Sequence, residues 1–121
     1  MPMEQVIPAV VYSSTKVNKV IADLSVTPIG HGETSVGRYI AAAVAAIEKV
    51  EGLRYELTPM GLVMEADTLD PILQAVKVAH EAQISKGIKR IESNLRIDDR
   101  RDKPRTMKDK VDAIRRYMKE V

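Results

Sequence analysis

Asp23, Ser25 and Thr27 stand at alternate positions in one short stretch of the chain, Val63 and Glu65 in a second, and Arg90, Glu92, Asn94 and Arg96 occupy a third. Alternate side chains of an extended segment share a face, so Asp23, Ser25 and Thr27 project together from one strand, as do the even-numbered members of the third stretch. Carboxylates, hydroxyls and an amide gathered on a rigid surface can read a heteroaromatic ring by hydrogen bonding. A carboxylate also attracts a cation, provided apolar walls exclude water. The bland alternative is a face left in water or paired through its charges with another subunit, which antiparallel sheets commonly allow.

Other residues carry less chemistry. There is no Cys, and the two histidines, His31 and His80, exclude a multi-histidine metal cage within one chain. Neither histidine accompanies a credible nucleophile. Ser13, Ser14 and Ser35 lack a G-x-S-x-G setting, and Gly30-His31-Gly32 matches neither a P-loop nor a dinucleotide fingerprint. His31 reads as an exposed loop histidine and His80 as a partly buried packing residue. Asp98 and Asp99 are adjacent in an extended stretch, so their side chains diverge and do not easily grip one ion. Their neighbours Arg100, Arg101, Lys103 and Arg105 neutralise them instead. No catalytic residue, metal site or cofactor is expected.

The elements that must position these groups follow from hydrophobic periodicity. Val20, Ala22, Leu24 and Val26 alternate with Ile21, Asp23, Ser25 and Thr27, which predicts a half-buried strand ended by Pro28 and Gly30. Val36, Ile40, Ala43, Ile47 and Val50 recur at helical spacing after a cap at Thr34 or Ser35, with Gly52 placed to stop the helix. Tyr39 lies one position off that stripe, beside the loop. Leu53 to Thr58 and Gly61 to Ala66 form a hairpin through Pro59-Met60-Gly61. Asp70-Pro71 reads as a helix cap followed by proline at the first helical position, and Leu69, Ile72, Leu73, Val76 and Ala79 as that helix's apolar stripe. Ile88 to Ile97 resumes alternation as a fourth strand. After the charged tract 98–105, Thr106 and Asp109 form a capping box for a helix with Met107, Val111, Ile114 and Met118 on one side.

This order predicts an α+β, ferredoxin-like βαββαβ domain over residues 19–121, with an extra C-terminal helix. Right-handed crossovers place the two long helices on one face of a four-stranded antiparallel sheet, with the first strand central. The other face is left to the polar residues named above. Residues 1–18 form an N-terminal extension, where Val6 to Tyr12 could add an edge strand and Ser13 to Thr15 a turn.

Composition bounds the function. A chain of 121 residues with 45% hydrophobic and 30% charged residues is long and apolar enough to fold without staples. No apolar stretch approaches the length of a membrane helix and no secretory leader is present, so a cytoplasmic protein with no membrane partner is expected. Four tyrosines with no Phe or Trp give few stacking platforms, which argues against a nucleic-acid partner. Residues 1–85 carry 6 basic and 10 acidic side chains and residues 86–121 carry 13 and 7, so the excess positive charge lies at the C-terminal end. Such an end could meet phosphates, although its interleaved acids equally fit a solvated face or an oligomer contact.

Pro28-Ile29-Gly30 with Ser35 and Tyr39, Tyr55-Glu56-Leu57 with Met60-Gly61 and Glu65, Val76-Lys77 with Ala79-His80-Glu81, and Ile97 to Asp102 together resemble the small thiamine-binding protein family over residues 19 to 119. The resemblance implies a ferredoxin-like subunit, sheet-to-sheet dimers assembling into tetramers, and non-catalytic binding of thiamine or its hydroxymethylpyrimidine portion. The extension 1–18 departs from that pattern. Thiamine joins a flat aminopyrimidine to a cationic thiazolium, so its site needs a slot, hydrogen-bond partners and an acid or aromatic face for the charge. Thr27, Ser35, Tyr39, Met60, Glu65 and Asn94 are the expected ligand-binding residues, Glu65 as polar anchor and Tyr39 with Met60 as walls. The competing expectation is a structural or regulatory oligomer that pairs Asp23, Glu92, Arg90 and Arg96 across a two-fold interface and holds no small molecule.

Overall fold

The computed structural model describes residues 19–121. The expectations for Val6 to Tyr12 and Ser13 to Thr15 lie outside the described residues. In chain order the elements are β1 (Val20–Ile29), α1 (Gly37–Ile47), β2 (Leu53–Thr58), β3 (Gly61–Ala66), α2 (Leu69–Ile84), β4 (Arg90–Asp99) and α3 (Met107–Met118). The four strands form one antiparallel sheet in the order β2-β3-β1-β4, which makes β1 central beside β3 and β4 as the order of elements and right-handed crossovers predicted.

The core lies between one face of this sheet and the helix pair α1 and α2. Ala22, Leu24 and Val26 from β1, Leu62, Met64 and Ala66 from β3, Ala43 and Ile47 from α1, and Ile72, Ala75 and Ala79 from α2 are all buried there. Small residues on both helices let their axes approach the sheet closely, and period-two alternation on β1 and β3 supplies the facing layer.

Local details differ from the sequence reading in ways that have physical causes. Helix α1 starts at Gly37 with Val36 as its N-cap and no side-chain cap, so neither Thr34 nor Ser35 caps it. Helix α2 begins at Leu69 after Thr68, which places Asp70 and Pro71 inside the first turn, where proline's missing N–H has no intrahelical partner to lose. Leu73 is exposed and Gln83 takes its place in the buried stripe. β4 is displaced two residues toward the C-terminus, so Asp98 and Asp99 end a strand rather than open a loop. Gly52 has the expected positive φ of 80°, but in the turn that enters β2 rather than at the end of α1.

β1 continues through Pro28 because its two sides differ. It pairs with β4 from Val20 to Ile29 but with β3 only from Val20 to Leu24. Beyond Leu24 it has an unpaired edge on the β3 side, where a strand tolerates proline.

Helix α3 forms with the expected capping box. Thr106 Oγ1 accepts the Asp109 amide at 3.0 Å and the Asp109 carboxylate accepts the Thr106 amide at 3.1 Å. Only Met107 of its apolar stripe is buried. Val111, Ile114 and Met118, with Tyr117, are exposed among the described residues.

Candidate functional site

The reverse sheet face divides into two parts. At the Val20 end, Glu65, Ile21 and Asp98 stand in one row across β3, β1 and β4. The first turn of α3 lies over that row. Glu65 Oε1 accepts the Met107 backbone N–H at 2.7 Å, and the Asp98 carboxylate accepts from Lys110 Nζ. Glu65 is 0% exposed as a result, so the expected open polar face is covered at its position.

At the other end, β1 outruns β3 and the β2–β3 hairpin curls beside its free edge. Thr58 Oγ1 donates to the Gly61 carbonyl at 2.9 Å and accepts the Met60 amide at 3.2 Å, which closes the Pro59-Met60 turn. Gly61 is required there: its φ is +152°, and a Cβ would stand 2.6 Å from the Leu24 carbonyl oxygen. Two adjoining cavities open around this turn. The larger, of about 430 Å³, is a groove on the reverse face where Asp23, Ser25, Asn94 and Arg96 stand among apolar residues that include Leu62, Val63 and Leu95. The other, of about 250 Å³, is an apolar slot between the hairpin and the start of α1, walled by Val26, Val36, Ile40, Val44 and Leu57. Ser25, Thr58, Met60 and Gly61 line both. Small-molecule sites share this character of apolar walls with a few converging polar groups.

The six residues expected to bind a ligand are thus distributed. Met60 lines both cavities, Asn94 the groove and Thr27 the slot. Ser35 and Tyr39 are placed elsewhere, in a small cluster at the β1–α1 loop. There the Tyr39 ring meets His31 edge-on at 5.0 Å between centroids and carries the Arg38 guanidinium 5.7 Å above it, while His31 Nε2 bonds the Ser35 carbonyl at 3.2 Å. His31 is therefore half-buried rather than an exposed loop residue. His80 bonds Ser93 Oγ through Nε2 at 2.9 Å and is partly buried, as its position on α2 implied. Glu65 lies outside both cavities. Asp23, Ser25, Arg96 and the slot residues Val36 and Ile40 were absent from the expected set. Alternation had already put Asp23, Ser25 and Arg96 on this face, but only the shorter reach of β3 reveals a cavity there.

Electrostatically the groove is self-compensated. Asp23 and Arg96 are cross-strand neighbours, and Arg96 Nη2 donates to Asp23 Oδ2 at 2.8 Å. The pair is therefore satisfied within one chain, without the second copy that a paired-charge interface would supply. Among the described residues no group of three or more His, Asp or Glu side chains could hold a metal ion, and no helix is long and apolar enough to cross a membrane.

A family model described as thiamine-binding protein matches residues 22–115. The chain belongs to the thiamine-binding protein family. A UPF0045 protein of Methanothermobacter thermautotrophicus is 45% identical over 96 residues, covering 79% of this chain and 96% of its own. The crystal structure of a hypothetical protein from Methanocaldococcus jannaschii superimposes with a TM-score of 0.72 at 39% identity, covering 80% of this chain and 96% of that one. A Thermotoga maritima protein, described as a candidate for thiamine biosynthesis or salvage, superimposes with a TM-score of 0.63 at 25% identity over 79% of this chain and 98% of its own. The matched span of this thiamine-binding family member encloses both cavities at the hairpin.

Proposed function

We propose that this chain binds thiamine or a related pyrimidine such as hydroxymethylpyrimidine, without catalysis, at the cleft beside the β2–β3 hairpin. The observation that carries the reading is the direct junction of an apolar slot with a groove that carries Asp23, Ser25, Asn94 and Arg96, both edged by Met60, inside a domain of the thiamine-binding family. The flat aminopyrimidine fits between Met60 and Ile40, where Thr27 and Ser25 offer hydroxyls to ring nitrogens. The thiazolium then reaches the groove, where it competes with Arg96 for the Asp23 carboxylate and meets Asn94 at its polar edge. The fold is read as ferredoxin-like, and the working unit as a cytoplasmic homo-oligomer, a dimer of dimers.

Titration calorimetry with thiamine and with hydroxymethylpyrimidine tests this directly. Saturable heat for one of them, weakened by Asn94→Ala and by Met60→Ala, is the expected result. No heat and no thermal shift at millimolar ligand sinks the binding role.

A second reading has its own support. The exposed stripe Val111, Ile114, Tyr117 and Met118 of α3 is apolar surface of the kind that assembly covers. On that reading the protein is a structural or regulatory oligomer with no small-molecule ligand. Light scattering on the full chain reports assembly, and an oligomer that ignores both ligands favours it.

A further inference from the structure

Beneath the first turns of α3, at the end of the sheet away from the hairpin, lies a third cavity of about 80 Å³, lined by Lys19, Ile21, Asp98, Arg100, Arg105 and Lys110. We propose that it is a separate binding site for a small phosphate-type oxyanion. Four of its six lining side chains are cationic and one is acidic. Three of these cations are paired with acids, Lys110 with Asp98, Lys19 with Asp67 and Arg100 with Asp102, the last through two bonds of 2.6 and 3.1 Å, so the excess positive charge of the cavity rests on Arg105. Among the described residues Arg105 has no such partner. It is half-buried and lines the cavity.

Size and fixation narrow the ligand class. The volume suits a tetrahedral oxyanion or the terminal phosphate of an ester, not a nucleotide or a pyrimidine. Lys19 is only 3% exposed and immediately precedes the central strand, and Lys110 is held to β4 by Asp98, so two of the cations are positioned before any ligand arrives. A planar guanidinium donates to an oxyanion through two parallel N–H groups, which a chloride ion cannot exploit. The site is distinct from the hairpin cleft, with which it shares no lining residue.

The experiment uses the full chain at constant ionic strength, set with chloride so that general screening is equal in every sample. Inorganic phosphate at millimolar concentration should raise the unfolding temperature and give saturable heat, where the matched chloride does not. Arg105→Gln should weaken phosphate binding roughly tenfold or more, the loss expected for a charged hydrogen-bonding group. Arg105→Lys should recover part of it, and Arg115→Gln, on α3 but outside the cavity, should bind as the parent does. Glycerol 3-phosphate binding as well as phosphate assigns the site to phosphate esters, and phosphate binding alone assigns it to the free ion. No response beyond chloride, equal affinity in Arg105→Gln, or displacement of phosphate by thiamine overturns the proposal. The first two results leave thiamine binding at the hairpin untouched, whereas displacement would move thiamine from the hairpin to this cavity.

Discussion

Glu65 on β3 holds the backbone N–H of Met107 at 2.7 Å, across 42 residues of sequence, and by this bond the C-terminal helix is laid on the reverse face of the sheet. The first amides of any helix lack intrahelical acceptors, and here a fully buried carboxylate supplies one. Removing it in Glu65→Ala strands the Met107 N–H away from water, which should cost about 1–3 kcal/mol. Glu65→Gln keeps an acceptor and loses the charge at the positive end of the helix together with the 3.9 Å ion pair to Arg54, a smaller loss of about 0.5–2 kcal/mol. Urea denaturation ranks the two variants, and hydrogen exchange at Met107 should accelerate in the alanine variant. Because Glu65 lies outside both hairpin cavities, thiamine affinity should survive in Glu65→Gln.

Gly61→Ala places a methyl group 2.6 Å from the Leu24 carbonyl, on backbone that has no room to yield. The expected destabilisation is about 2–3 kcal/mol, accompanied by loss of ligand binding as the hairpin leaves the edge of β1. Chemical denaturation and calorimetry read the two effects separately.

Met60 is 87% exposed in the free protein, so shortening it should leave folding stability unchanged. Covered by ligand, the same side chain gains contacts, and Met60→Ala should weaken thiamine binding by roughly three- to tenfold. A parallel melt and titration of this variant check both halves.

Gln83 is fully buried, donates from Nε2 to the Tyr39 carbonyl at 3.3 Å, and leaves Oε1 without a partner among the described residues. An apolar group of similar shape removes that unsatisfied oxygen. Gln83→Leu should therefore leave stability unchanged to within about 1 kcal/mol or raise it, and a loss larger than that contradicts the reading. Thermal unfolding measures the difference.

The Arg100 guanidinium beside Asp102 holds its carboxyl below the usual aspartate range, and the same pairing raises Arg100. A carboxylate lowered in the folded state contributes stability above its ordinary titration range. That contribution is lost as pH falls through the lowered folded value. Carbon-detected NMR titration should thus find Asp102 ionising at lower pH than a model aspartate, and Arg100→Gln should move it back up.

Much of this molecule could be read along the chain. Thr58 and Gly61 bound a hairpin whose strands begin and end where the residues said they would. Thr106 and Asp109 are close enough in sequence for their reciprocal bonds to be foreseen. The failures arise where distant segments meet. Thr34, Ser35 and Asp70 have the right chemistry for helix caps, but α1 starts at Gly37 and α2 at Leu69 under the demands of packing on the sheet. Alternation set Glu65 on the reverse face correctly, yet said nothing of what would lie above it.

The sequence by itself determined the order of elements, the buried face of each strand and the positions of the turns, because these depend on side-chain periodicity and on neighbours a few residues apart. Tertiary structure decided which polar residues face a cavity. β1 pairs with β4 for twice the length it shares with β3, and that mismatch opens the cleft at Met60. Helix α3 closes over Glu65 and Asp98 at the far end of the same face. Both outcomes turn on contacts between segments tens of residues apart, whose geometry no local pattern encodes.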